Sequence, residues 1–158
     1  MEKSLIIKYE EFAHWNELLN EDKELVEKAY EVSATAYAPY SNFHVGASLR
    51  MEDNSIVLGS NQENIAYPSG LCAERVALFY AGAIYPKRTI KKICVVAKGD
   101  LIPIDNWVSP CGSCRQVMAE SQNRQKEPIK VILVSQNNRV LVFNSVSDLL
   151  PFVFNSPL

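Results

Sequence analysis

Between Asn20 and Ala36 the apolar residues Leu25, Ala29, Val32 and Ala36 recur at three- and four-residue intervals among Glu and Lys, which predicts an amphipathic helix ending before Pro39. The period then falls to two. Val45, Ala47, Leu49 and Met51 alternate with Gly, Ser and Arg, Asp53-Asn54 supplies a turn, and Ser55 to Leu58 runs back, so a β-hairpin is predicted. From Cys72 to Ala83 the apolar residues Ala73, Val76, Ala77, Phe79, Tyr80 and Ala81 leave little polar face, the pattern of a buried helix. Lys92 to Ala97 is a nearly continuous apolar strand, Arg115 to Asn123 is helical, and Lys130 to Val134 is strand again. A hairpin about Gln136–Arg139 leads into Val140 to Phe143, and a short helix near Ser147–Leu150 closes the pattern before Pro151. The segment Leu5 to Trp15 fits a strand or an irregular arm equally well. The order α-β-β-α-β-α-β-β-α predicts an α/β fold: a mixed central sheet of about five strands with helices on both faces, a three-layer α/β/α sandwich.

Composition narrows the class of partner. The chain has 158 residues, 47% of them hydrophobic, enough for one domain with a sizeable core. Sixteen basic residues against eighteen acidic give a formal charge of −2, and no run of Lys and Arg forms the basic stripe that phosphate neutralisation requires. A small, weakly charged substrate suits this balance, and nucleic acid does not. The N-terminus holds three consecutive aliphatic residues, Leu5, Ile6 and Ile7, before charge returns, far short of a signal-peptide core or a membrane span. A cytoplasmic location is expected. In a reducing compartment the four cysteines serve metal binding or catalysis rather than disulfides.

Cys72 and Cys111 each fall where a loop turns into a predicted helix, so their thiolates sit at the positive end of a helix dipole. Cys114 lies one helical turn after Cys111 and faces the same side. Three thiolates can grip one zinc ion and leave a fourth tetrahedral position open for water. A thioredoxin-like redox pair would use Cys111 and Cys114 alone, with no need for Cys72. A structural zinc site would close with a fourth Cys or His, but Cys94 sits in an apolar strand and His14 and His44 have no ligand spacing to the cysteines. Glu74, two residues after Cys72, is placed to shuttle protons beside such a metal; by itself it would be read as an acidic residue favouring a helix start. Three thiolates on Zn²⁺ leave a net −1, and Arg75 on the same helix is the nearest source of relief, with Arg115 a weaker second.

Five stretches together resemble the small tetrameric cytidine deaminases: Pro39 to Ala47, Asn61 to Asn64, Cys72 to Arg75, Pro110 to Gln116, and Leu149 to Phe154. The resemblance runs in order from about Glu24 to Phe154, and Cys72, where others carry His, points to the three-cysteine branch. It implies a single domain over residues 1–158, with residues 1–20 as an N-terminal arm of unassigned role. It implies one Zn²⁺ per chain on Cys72, Cys111 and Cys114, with Glu74 as the catalytic acid–base and Arg75 as charge compensation. The implied reaction is hydrolytic deamination of cytidine and deoxycytidine in pyrimidine salvage. It also assigns Asn61 and Glu63 to the ribose 3′-hydroxyl, the backbone of Ala73 and Ser109 to the edge of the base, and Phe43 and Phe154 to stacking. Most phenylalanines are simply core, and Asn61 alone would read as a turn former. Phe154, with Tyr67, is implied to reach a neighbouring subunit's site in a homotetramer, and Phe152 competes for that place. A blasticidin-type cytosine nucleoside is the competing substrate. A non-catalytic zinc-stabilised assembly module is the reading of another class, and it has no need of Glu74.

Overall fold

The alternating and the continuous apolar runs assemble into one mixed sheet in a computed structural model that describes residues 1–155. Strands β2 (His44–Met51) and β3 (Ile56–Ser60) form the expected hairpin, and β4 (Ile90–Lys98) pairs antiparallel with β2. Strand β5 (Lys130–Val134) runs parallel to β4, a pairing that needs a crossover, and α3 (Gly112–Gln125) supplies it. Strand β6 (Val140–Phe143) returns antiparallel to β5. The sheet has six strands rather than five, because β1 (Glu10–Phe12) adds to the free side of β6, giving the order β1-β6-β5-β4-β2-β3. That segment is Glu-Glu-Phe and carries no strand pattern of its own. Pairing with β6 and the packing of the Tyr9 ring on Phe143, 5.6 Å between centroids, create the strand.

The two faces of the sheet carry different cores. Ile93, Val95, Val131 and Leu133 point to one side, where they meet Ala73, Ala77, Leu78 and Ala81 of α2 (Ala73–Ile84) and Met118 and Ala119 of α3. Cys94, Val96, Ile132 and Val134 point to the other, against Leu25, Val26 and Ala29 of α1 (Asn20–Ser33). Strands covered on both faces read as unbroken apolar runs, which explains their pattern. The layers are therefore helix, sheet, helices, as expected.

Helix α1 is tied down by charge as well as by burial. Asp22, 1% exposed, holds Lys92 Nζ at 2.6 Å and Lys130 Nζ at 3.1 Å, so it links the helix to β4 and β5. Two expectations change. The last short helix is a single 3₁₀ turn, Val146–Asp148, closed by Ser145 and Asp148 capping each other. Helix α2 is not apolar-buried all round: Phe79, Tyr80, Ala83 and Ile84 face outward. Among the described residues no helix is long and apolar enough to cross a membrane.

Candidate active site

Two helix starts and one loop build the site. Cys72 is the N-cap of α2 and Cys111 the N-cap of α3; their carbonyls accept from Val76 N at 3.1 Å and Arg115 N at 3.0 Å. Neither thiol takes a capping bond, so both sulfurs stay free to face each other. Helix α2 lies close on β3 because position 59 is glycine. A Cβ there would come within 2.5 Å of Ala77 N and 2.6 Å of Ala73 O. Helix α3 is fixed from its far end, where Gln122 Oε1 accepts from Ile129 N at 2.9 Å and from Val146 N at 3.1 Å.

With both helices held, Cys72, Cys111 and Cys114 bring their sulfurs within 4.8 Å of one another, and Cys111 and Cys114 are 3.5 Å apart. Among the described residues this is the one such cluster of metal-ligating side chains. A tetrahedral zinc with bonds of about 2.3 Å spaces its sulfurs by about 3.8 Å, so the cluster fits the ion. A redox pair has no use for the third sulfur. His14 caps a 3₁₀ turn and His44 lies 3.4 Å from Asn42 Oδ1, so neither histidine joins the cluster. Cys94 is wholly buried, and burial pushes its thiol pKa up.

Charge in the cluster is uneven. Donation from the Cys114 thiol, with Arg75 helping, pulls Cys72 down to about 5, while Cys114 rises because it donates to Cys72 and is buried. Arg75 Nη2 lies 3.8 Å from Cys72 Sγ. Its Nε is buried without an acceptor, an orphaned donor beside sulfurs that become anionic on binding a metal. Three soft thiolates, a spare cationic donor and the spacing of the sulfurs all fit Zn²⁺. Arg115 does something else. It donates to Pro110 O at 2.9 Å, Leu149 O at 2.9 Å and Ser109 Oγ at 2.7 Å, bracing the turn into Cys111 against the C-terminal segment.

Glu74 follows Cys72 by two residues in the first turn of α2 and is 4% exposed. Burial, reinforced by the neighbouring Cys72 thiolate, pushes its carboxyl up to about 7. Ala73, the first residue of that helix, is fully buried and its N–H has no partner within the helix.

A second group forms where the segments around Tyr37, Gln62 and Leu71 are stitched by backbone bonds, including Gln62 N to Leu71 O and Leu71 N to Gln62 O, both 2.9 Å. This stitching sets Asn61 and Glu63 beside the Tyr40–Phe43 loop. Asn61 Oδ1 accepts from Val45 N and its Nδ2 donates to Phe43 O, both at 2.8 Å. Glu63 accepts from Tyr40 N at 2.9 Å and from the Ser41 hydroxyl, which holds its carboxyl below the usual carboxylate range. Ser41 escaped the sequence reading, since its importance rests on a bond across 22 residues.

Phe43, Asn61 and Glu63 thus come together, as Cys72, Glu74, Arg75, Cys111 and Cys114 do. Tyr67 and Phe154 do not join either group. They are 92% and 89% exposed, and Phe152 is equally open at 88%. Phe154, whose carbonyl accepts from Gln116 Nε2 at 2.6 Å, edges a groove of about 510 Å³ between α2 and α3 lined by none of the cysteines.

Known proteins resemble this chain in sequence and fold. A family model described as the cytidine and deoxycytidylate deaminase zinc-binding region matches residues 19–141. A cytidine deaminase of Halalkalibacterium halodurans is 46% identical over 96 residues, 61% of this chain and 68% of the relative. The crystal structure of a cytidine deaminase from Burkholderia pseudomallei superposes with a TM-score of 0.72 at 40% identity, covering 84% of this chain and 98% of that one. The cytidine deaminase of Mycobacterium tuberculosis gives a TM-score of 0.65 at 28% identity, covering 85% and 97%. Matched over most of its length, with the three cysteines inside the matched region, the chain belongs to the cytidine and deoxycytidylate deaminase zinc-binding family.

Proposed function

We propose that the whole chain works as one catalytic domain that hydrolyses cytidine and deoxycytidine to uridine and deoxyuridine with release of ammonia. The observation that carries this reading is Glu74: a buried carboxyl of pKa about 7 close enough to Cys72 and Cys114 of the three-thiol cluster to feel both. A general acid–base is most effective when its pKa lies near the working pH, and a structural zinc site has no use for such a group. Cys72, Cys111 and Cys114 would hold Zn²⁺, which when bound would supply the Lewis acidity that makes water a nucleophile at neutral pH. The Glu74 carboxyl is the group that would carry a proton from water to N3 of the pyrimidine, opening C4 to attack. A second proton passes through Glu74 to the amino group as ammonia leaves. Arg75, whose Nη2 lies 3.8 Å from Cys72 Sγ, would offset the net −1 that three thiolates leave on a divalent ion. The Ala73 N–H and the Ser109 backbone orient the base edge, Phe43 stacks on it, and Asn61 and Glu63 hold the sugar.

Phe154 and Tyr67 complete the site from a neighbouring subunit of a homotetramer in the cytoplasm. Their exposure in the single chain supports that assignment, since each ring otherwise faces water. The experiment is ammonia release from cytidine alongside metal analysis. One zinc per chain and turnover are expected, with Glu74→Gln keeping the zinc and losing activity by about 10²–10⁴-fold. Turnover retained in Glu74→Gln would remove that carboxyl from its role. Absence of bound metal in reduced protein would end the proposal.

A further inference from the structure

The Glu63 carboxylate is held in an asymmetric way. Its Oε2 accepts two backbone N–H groups, Tyr40 at 2.9 Å and Ser41 at 3.3 Å, while Oε1 accepts only the Ser41 hydroxyl. A carboxylate offers about four acceptor positions, so the open one lies on Oε1, the oxygen that Ser41 touches. The serine has no freedom to turn away. Its single proton goes to Glu63 while its oxygen accepts from Phe43 N at 3.0 Å. Asn61 is anchored independently, to Val45 N and Phe43 O, and keeps one N–H unspent. One donor on Asn61 and one acceptor on Glu63 are the complement of a single hydroxyl group.

We propose that Ser41 is a positioning residue that aims Glu63 Oε1 at a sugar hydroxyl, so that preference for an unmodified nucleoside depends on a serine acting through Glu63. This rests on the reading of Asn61 and Glu63 as the sugar-holding pair. Ser41 is not needed to close its loop. Asn42 N still bonds Ala38 O at 3.0 Å, Glu63 Oε2 still takes the two backbone N–H groups, and Asn61 still holds Phe43 O. Removing the hydroxyl frees the direction of Oε1 and takes one acceptor from Phe43 N, while the four remaining bonds still hold the loop.

The test compares steady-state kinetics of the zinc-loaded full chain on cytidine and on its 2′,3′-dideoxy analogue. Ser41→Ala is expected to raise KM for cytidine about tenfold with kcat within about threefold, and to raise KM for the analogue by less than about threefold. Ser41→Thr, which keeps a hydroxyl, should restore KM. In a Glu63→Gln background Ser41→Ala should add nothing on cytidine. Equal zinc content and melting temperature for Ser41→Ala and the native chain show that the fold is intact. A loss equal on both substrates, or one that persists in the Glu63→Gln background, would overturn the role of Ser41. If Glu63→Gln separates the two substrates and Ser41→Ala does not, only the serine proposal falls. If Glu63→Gln fails to separate them, the sugar-holding reading itself falls.

Discussion

Glu74 has a carboxyl group 4% exposed in the first turn of α2, and burial lifts its pKa from the ordinary 4.5 to about 7. In metal-free protein the folded chain therefore keeps a proton that the unfolded chain gives up. The contribution to stability is fully present below pH 4.5 and is lost as pH rises through 7, roughly 3 kcal/mol in all at about 1.36 kcal/mol per pH unit. Glutamine never ionises and escapes that loss. In chelated, reduced protein, Glu74→Gln should gain about 3 kcal/mol on the native chain between those pH values by urea denaturation. The depressed Cys72 thiol titrates over part of the same range with the opposite sign, since a lowered pKa adds stability as pH rises. Because that thiolate is itself one of the causes that raise Glu74, the difference between the two proteins contains their coupling as well as the burial of the carboxyl. A difference that stays flat with pH would mean the carboxyl is solvated and poorly placed for acid–base work. The cysteines and Glu74 were legible from spacing because short sequence intervals at helix starts fix which way their side chains face. Ser41 and Arg115 were not, because their partners lie on other segments: Glu63 for one, Pro110 and Leu149 for the other.

At the level of elements, the site depends on how closely α2 approaches β3. A Cβ at position 59 would sit 2.5 Å from Ala77 N, closer than any van der Waals contact allows, and backbone cannot swing aside as a long side chain would. Gly59→Ala should therefore push α2 off the sheet at a cost of about 1–3 kcal/mol, the usual penalty for overpacking. Because Cys72 and Glu74 ride on the N-terminus of α2, zinc affinity and turnover should fall together with stability. Calorimetry with and without zinc, beside a chelator-competition titration, checks both; unchanged affinity would show that Cys72 is positioned without this contact. Elements with a pattern of their own were legible: the hairpin, α1, β4, α3 and β5 all appear near their expected bounds. β1 was not, because three residues with two glutamates carry no periodicity and depend on β6 for their conformation. The short terminal helix expected near Ser147–Leu150 forms as one 3₁₀ turn over Val146–Asp148, closed by the capping box of Ser145 and Asp148.

At the level of the whole molecule, α2 poses a contradiction that a single chain leaves unresolved. Its inner face, Ala73, Ala77, Leu78 and Ala81, is buried in the sheet, while Phe79, Tyr80 and Ile84 are each at least half exposed on the other side. With Phe79 and Phe154 at the groove beside α3, and Tyr67 and Phe152 open elsewhere, large rings are left facing water. Apolar exposure of this kind marks an interface more often than a free surface. The sequence pattern, apolar on nearly all sides of α2, is accounted for if a second copy covers the outer face. Two substitutions separate assembly from chemistry. Phe79→Glu buries a charge in any such interface, so light scattering should report a lower mass and turnover should fall with it. Phe154→Ala should leave the mass unchanged and raise KM for cytidine by about tenfold or more, since stacking of a base on an aromatic ring contributes about 1–3 kcal/mol. Loss of mass in Phe79→Glu with activity intact would show that each chain holds a complete site. A native protein that runs as a single chain at assay concentration and still turns over cytidine would reject the shared site outright, and Phe154 would then have to reach its own chain's cysteines.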